Sequence, residues 1–169
     1  TIPCEFYGET KRFVEKLGFS IIWLNELNFI SLRMPIVVGP GKKSINSPWR
    51  TDIFNLVHSG GETKISFSKN EIIPIASSHD TAEVIVKIIL KKKIKYNIYH
   101  LPNESWQVSG LIKMLESINN KLIIHYGNKK LVGIPSFVNW ERIKEEVGID
   151  SISLFSRLIN YKKRLNNVY

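Results

Sequence analysis

Tyr7 and Lys11 stand four positions apart, and on a helix that spacing puts a phenol and an ammonium on one face, able to point at one place. A phenol titrates near ~10 and is a poor base at neutral pH, but a neighbouring cation favours the phenolate. Such a pair can take a proton from an alcohol, or return one to a carbonyl, while a hydride moves on the opposite side. The spacing alone has low specificity, because Tyr and Lys are common and an exposed Tyr beside a solvated Lys produces it equally well. Its weight comes from the elements that must position it.

Phe6, Phe13, Leu17, Ile21 and Leu24 recur at helical spacing and predict one long helix over residues 7–25, with Gly18 tolerated inside it. Tyr7 and Lys11 fall in its first turns. The run Asn-Phe-Ile-Ser-Leu-Arg at 28–33 is short, apolar and bounded by polar turns, as a buried parallel strand should be. It ends at Met34 and Pro35, and the Val-Gly-Pro-Gly run starting at Val38 predicts a loop. In open α/β sheets ligands bind beyond the carboxyl ends of strands, so residues 34–50 leave one such end. Downstream, helices are expected at 51–58, 81–90, 139–147 and 153–165. Another is marked by Val108, Leu111, Ile112, Leu115 and Ile118, with Ser105 near its start. Residues 64–67 and 72–75 read as strands paired with each other, and 121–125 as a further strand. The alternation implies an α/β protein.

A chain of 169 residues, 43% of them hydrophobic, can bury one substantial core. No run approaches the ~20 apolar residues of a membrane helix, since the stretch from Ile21 to Leu24 is broken by Asn25 and Glu26. Cys4 is the only cysteine, so an internal disulfide is excluded and a cytoplasmic setting is expected. The start shows no signal-peptide pattern and no initiator Met, which is expected of a piece of a longer protein. The formal charge of +9 invites a nucleic-acid reading. Its densest cluster, at 91–95, follows a helix whose C-terminus favours cations, and no recognition helix or RNA-binding signature is present. Solvated lysines, or attraction for an anionic substrate, account for the charge better. His58, His79, His100 and His125 lie far apart, so no metal site is expected. Asp80 is expected to cap the helix over 81–90.

The order of these pieces resembles one family. A Tyr-Gly-Glu-Thr-Lys string, a long amphipathic helix, and then Ser-Leu-Arg-Met-Pro-Ile-Val-Val-Gly-Pro-Gly are similar to the second half of the extended short-chain dehydrogenase/reductase family, which includes nucleotide-sugar epimerases and dehydratases. Ser-Ser-His-Asp-Thr-Ala-Glu at 77–83 takes the place of that family's His-Val-Asp-Asp-Val-Ala helix start. Lys-Tyr-Asn-Ile-Tyr at 95–99 resembles a strand carrying its Tyr-Asn pair. The resemblance implies the later part of a Rossmann-type parallel sheet, from 1–34 and about 76–101, interleaved with a smaller mixed α/β substrate lobe from 35–75 and 102–169. It implies NAD or NADP as cofactor. Tyr7 would be the acid/base and Lys11 its charged partner, which also holds the nicotinamide ribose, while Pro35 and Val38 lie along the nicotinamide. The N-terminal dinucleotide-binding half, with its Gly-x-x-Gly-x-x-Gly turn, would be missing, and the isolated chain is expected to be inactive.

Many nucleotide-sugar members carry Asn just after the position of Pro35, whereas this chain has Ile36. The same Arg-x-Pro pattern occurs in members acting on small molecules, such as short-chain threonine dehydrogenases. Ile36, Ser47, Trp49 and Arg50 are candidate substrate contacts, with Arg50 suited to a carboxylate or phosphate. Three functions stay open: an epimerase, dehydratase or dehydrogenase acting on a nucleotide sugar or small hydroxy compound; a small-substrate oxidoreductase; or a non-catalytic remnant serving as a binding or assembly module. Similar enzymes often dimerise through the helix that starts near Tyr7.

Overall fold

The computed structural model describes residues 6–25, 28–150 and 152–166. Cys4 and the side chain of Leu24 lie outside the described set. In chain order the elements are α1 (Phe6–Asn25), β1 (Ser31–Arg33), β2 (Ile36–Val38), α2 (Trp49–Ser59), β3 (Gly61–Phe67), β4 (Ile72–Ser77) and α3 (Ser78–Leu90). These are followed by β5 (Ile98–His100), β6 (Glu104–Gln107), α4 (Val108–Ile118), β7 (Leu122–Lys129), α5 (Glu141–Val147) and α6 (Leu154–Asn166). The architecture is mixed α/β with mostly parallel pairing. None of the described helices is long and apolar enough to cross a membrane.

Strand β1 pairs parallel with β5, placing Arg33 beside His100. Strand β4 lies between β2, its parallel partner, and β6, its antiparallel one. Strand β3 pairs parallel with β7, with a register shift between Ile65 and Phe67. The expected pairing of the strands at 64–67 and 72–75 is therefore corrected: they belong to different sheets. The turn between them is held from outside, because the Ser68 and Val108 amides donate to the carbonyls of Lys129 and Glu71 respectively. Further corrections are local. Residues 36–38, at the start of the expected strand-end loop, form β2, and Ser105 lies in β6 instead of opening α4.

Two cores result. The larger joins Ile36, Val38, Trp49, Ile53, Ile65, Ile73, Leu111 and Leu158. The smaller joins Val84, Ile88, Tyr99, Leu101, Ile143 and Ile149, with Leu32 packed against it. At the start of α3, Ser77 is the cap, accepting a 3.1 Å hydrogen bond from the Asp80 amide. The Asp80 carboxylate, expected to do the capping, instead accepts from the Ser77 hydroxyl at 2.5 Å and pairs with Arg157 of α6. A buried carboxylate held this way ties α6 to α3.

Candidate functional site

Helix α1 is anchored through a face the apolar pattern did not single out. Phe6, Phe13, Val14, Leu17 and Ile21 are exposed. Contact with the sheet is made through Glu15, Gly18 and Phe19. Glu15 accepts hydrogen bonds from the Ser31 hydroxyl at 2.5 Å and from both Arg33 Nε at 3.2 Å and Arg33 Nη2 at 2.7 Å. The Arg33 fork, opposed by partial burial, holds the Glu15 carboxyl below its usual range, and Arg33 is raised in turn. A Cβ on Gly18 would come within 2.3 Å of the Phe29 ring, which meets Phe19 edge-on at 5.3 Å between centroids. The Phe29 ring, just before β1, can pack directly against the helix backbone because this position is Gly.

Lys11 and Tyr7 continue the Glu15 stripe toward the helix N-terminus, at successive steps of four residues. Eight residues at ~1.5 Å each carry the stripe about 12 Å beyond the clamp. The helix leads into β1 through a short connection and runs back along it, so this direction points past the carboxyl end of β1. Lys11 Nζ lies 5.3 Å from the centre of the Tyr7 ring. Tyr7 is 70% exposed.

The other expected site residues divide into two groups. Ile36, Val38 and Trp49 have side chains in the larger core, Trp49 meeting Phe67 edge-on at 6.4 Å. Pro35 lies between β1 and β2, and Ser47 and Arg50 frame the entry to α2, where the Arg50 amide donates to the Ser47 carbonyl at 3.2 Å. The Arg50 carbonyl accepts from the Gly39 amide at 3.1 Å, tying the end of β2 to the start of α2. Gly39 allows α3 to approach, because a Cβ there would come within 2.0 Å of Ser78 Oγ. Arg50 is half-buried, its Nε has no hydrogen-bond partner among the described residues, and burial lowers its pKa. That unsatisfied donor on a cation is suited to an anion. Elsewhere at the start of α2, Lys43 Nζ sits 2.6 Å from Asp52 Oδ1 and the Thr63 hydroxyl donates to Asp52 Oδ2 at 2.9 Å.

Sequence reasoning missed Glu15, Arg33 and His100. The first was legible as the next residue along the Tyr7–Lys11 stripe. His100 closes β5 opposite Arg33, and burial first, then the Arg33 charge, lowers its pKa, so it is neutral at pH 7. At the start of α3 the ligand atoms of His79, Asp80 and Glu83 lie within 4.8 Å of one another. Asp80 is committed to Arg157 and Glu83 to Lys87, so the cluster reads as an ion-pair group.

No protein-family model matches the sequence, and no curated relative matches it. Solved structures do. The fold is similar to L-threonine dehydrogenase from Phytophthora infestans, with a TM-score of 0.84 and 15% identity over 100% of this chain and 58% of that one. It is similar to a GalE-like L-threonine dehydrogenase from Cupriavidus necator in its apo form, with a TM-score of 0.79 and 15% identity over 98% of this chain and 63% of that one. It is also similar to UDP-glucuronic acid 4-epimerase from Bacillus cereus in complex with UDP-glucuronic acid and NAD, with a TM-score of 0.74 and 19% identity over 99% of this chain and 55% of that one. At these identities the likeness defines a fold: the Rossmann-type α/β arrangement shared by these dehydrogenases and the epimerase. The chain spans little more than half the length of the structures it matches.

Proposed function

We propose that this chain is the catalytic and substrate-binding part of an NAD(P)-dependent enzyme of the extended short-chain dehydrogenase/reductase family. The observation that carries the reading is the Tyr7–Lys11 pair, side by side on a stripe that the Glu15–Arg33 clamp aims past the carboxyl end of β1. Tyr7 Oη takes a proton from a substrate hydroxyl or returns one to a carbonyl. Lys11 supplies the adjacent positive charge and holds ribose hydroxyls of the cofactor. The nicotinamide, when bound, accepts or returns the hydride.

The residues fit the nicotinamide end of that cofactor and not its pyrophosphate. The glycines with positive φ are Gly41, Gly60, Gly61, Gly133 and Gly148, and none joins a strand directly to a helix N-terminus as a phosphate-cradling turn must. Pyrophosphate binding therefore belongs to polypeptide joined to or associated with this chain. The substrate is a nucleotide sugar or a small hydroxy compound, and Arg50, with its buried unpaired Nε, would receive a carboxylate or phosphate. A second reading, a threonine-dehydrogenase-like oxidoreductase of small substrates, is favoured by Ile36 standing where nucleotide-sugar members use Asn, with its side chain in the core. A non-catalytic binding or assembly role would leave the pair without function.

The test uses this chain completed by its dinucleotide-binding half. Tyr7→Phe should abolish hydride transfer, read as nicotinamide absorbance, while cofactor affinity measured by calorimetry stays nearly intact. Undiminished turnover would remove Tyr7 from the reaction. Adding nucleotide sugars or small hydroxy acids separately and recording which class raises Tm distinguishes the two substrate readings.

A further inference from the structure

We infer that the groove between the second half of α1 and the amino end of β5 is a binding site for a small organic anion, an aryl phosphate or similar flat body carrying a compact negative charge. The groove is shallow and open to solvent, with about 650 Å³ of accessible space, room for a ligand of small-molecule size. One wall is apolar, formed by Phe19, Ile22 and Ile98. The other is cationic, with Lys95 Nζ 5.1 Å and Arg142 Cζ 4.9 Å from the centre of the Tyr96 ring.

Glu145 and Glu146 act on Lys95 through space, but the cations of that wall form no direct ion pair among the described residues. Among the described residues no carboxylate lines the groove, and neither Lys95 nor Arg142 has an acidic partner at ion-pair distance. Glu146, the carboxylate that accepts from the Lys95 amide, is committed to Lys91 at 2.8 Å and to the Tyr99 hydroxyl at 2.7 Å. The aromatic platform is held in place: the Tyr96 amide donates to Tyr99 Oη at 2.9 Å, and the two rings meet edge-on at 6.1 Å. Two cations braced on a fixed ring, facing an apolar wall, match a ligand that is anionic at one end and flat and apolar at the other. An inorganic anion would leave the wall uncovered. A neutral aromatic would leave both charges unmet.

This site is remote from Tyr7 and Lys11. Along α1, fifteen residues separate Tyr7 from Ile22, about 22 Å at ~1.5 Å per residue. Asn97 and Ile98 lie at the amino end of β5, whereas the stripe carrying Tyr7 points past the carboxyl ends of the strands.

The probe is 1-naphthyl phosphate, titrated into the protein by fluorescence anisotropy, with 1-naphthol and inorganic phosphate as the two halves of the ligand. Saturable binding is expected, weaker by about tenfold or more for either half. The double variant Lys95→Gln/Arg142→Gln should weaken the probe by about tenfold or more, the factor for loss of one charge-assisted contact, with unchanged Tm. Amide shifts on adding the probe should centre on residues 95–98 and 142, and this map decides the matter if the variant's Tm falls. No saturable binding up to roughly 5 mM, equal affinity for 1-naphthol, an unaffected double variant, or shifts centred on Tyr7 and Lys11 would each overturn the inference.

Discussion

Replacing Arg157 by Leu should be among the most damaging single changes outside the apolar cores. The guanidinium reaches from α6 to the carboxylate of Asp80 in α3, with Nε at 3.1 Å and Nη2 on the same oxygen. The side chains are 15% and 6% exposed, so solvent screens the pair little. Without Arg157 the carboxylate keeps one side-chain donor, the Ser77 hydroxyl at 2.5 Å. Stranding one partner of a buried pair costs about 3–5 kcal/mol. The remaining hydroxyl and the nearby protein surface place this case at the low end, near 3 kcal/mol by order of magnitude. With a urea m-value of about 2 kcal/mol/M, the midpoint should fall by about 1.5 M. The assay is equilibrium urea unfolding followed by tryptophan fluorescence and far-ultraviolet circular dichroism. Arg157→Leu/Asp80→Asn, which removes the stranded charge, should recover much of the loss. A midpoint shift below roughly 0.5 M, or a double variant no better than the single one, would refute the argument that the pair is buried and mutually dependent.

The Tyr99 phenol is pushed up to about 12 from 10.0 by burial first and then by its hydrogen bond to Glu146. The fold binds the neutral phenol, so this stabilisation is complete below about pH 10 and is lost as pH rises through about 12. An ultraviolet tyrosinate titration should show a late-ionising phenol that Tyr99→Phe removes, at a cost of about 1–3 kcal/mol for the Tyr96 amide left without its acceptor and the donor lost to Glu146, which keeps Lys91 and the Lys95 amide. For Glu15 the sign is opposite. Its lowered pKa contributes stability above the ordinary 4.5 that is lost as pH falls through the folded value, so Glu15→Gln should flatten the acid limb of a Tm-against-pH curve. Gly18→Ala gains about 1 kcal/mol of helix propensity, but its Cβ displaces the Phe29 ring from Phe19. We expect the loss to win and Tm to fall by roughly 2–6 °C; a rise would mean the ring moves aside at little cost.

Periodicity revealed α1, α3 and α4 because one stripe of each repeats at helical spacing. It did not show which face of α1 packs. The apolar stripe is exposed, and the packing stripe of Glu15, Gly18, Phe19 and Ile22 contains a charge and a glycine, which an apolar count passes over. Strand pairing was less legible because contiguity suggested a hairpin, whereas β3 finds its partner in the distant β7. A signal did exist. Residues 64–67 alternate polar and apolar, fitting a half-covered strand, whereas 72–76 are continuously apolar, fitting the middle strand of a sheet. Likewise Ser77, three residues before Asp80, spelled a capping pattern that attention to the acid alone obscured. Of the candidate site, the Tyr7–Lys11 pairing was readable from spacing. The Arg33–Glu15 clamp joins residues eighteen positions apart and required the fold.

A crystal structure of the completed enzyme with its nicotinamide cofactor bound tests the central claim most directly, through two distances. The account predicts Lys11 Nζ within hydrogen-bonding reach, ~3 Å, of the nicotinamide ribose hydroxyls and Tyr7 Oη opening on the same cleft. A cofactor bound with its ribose turned away from Lys11, or Tyr7 directed to a different surface, would contradict it.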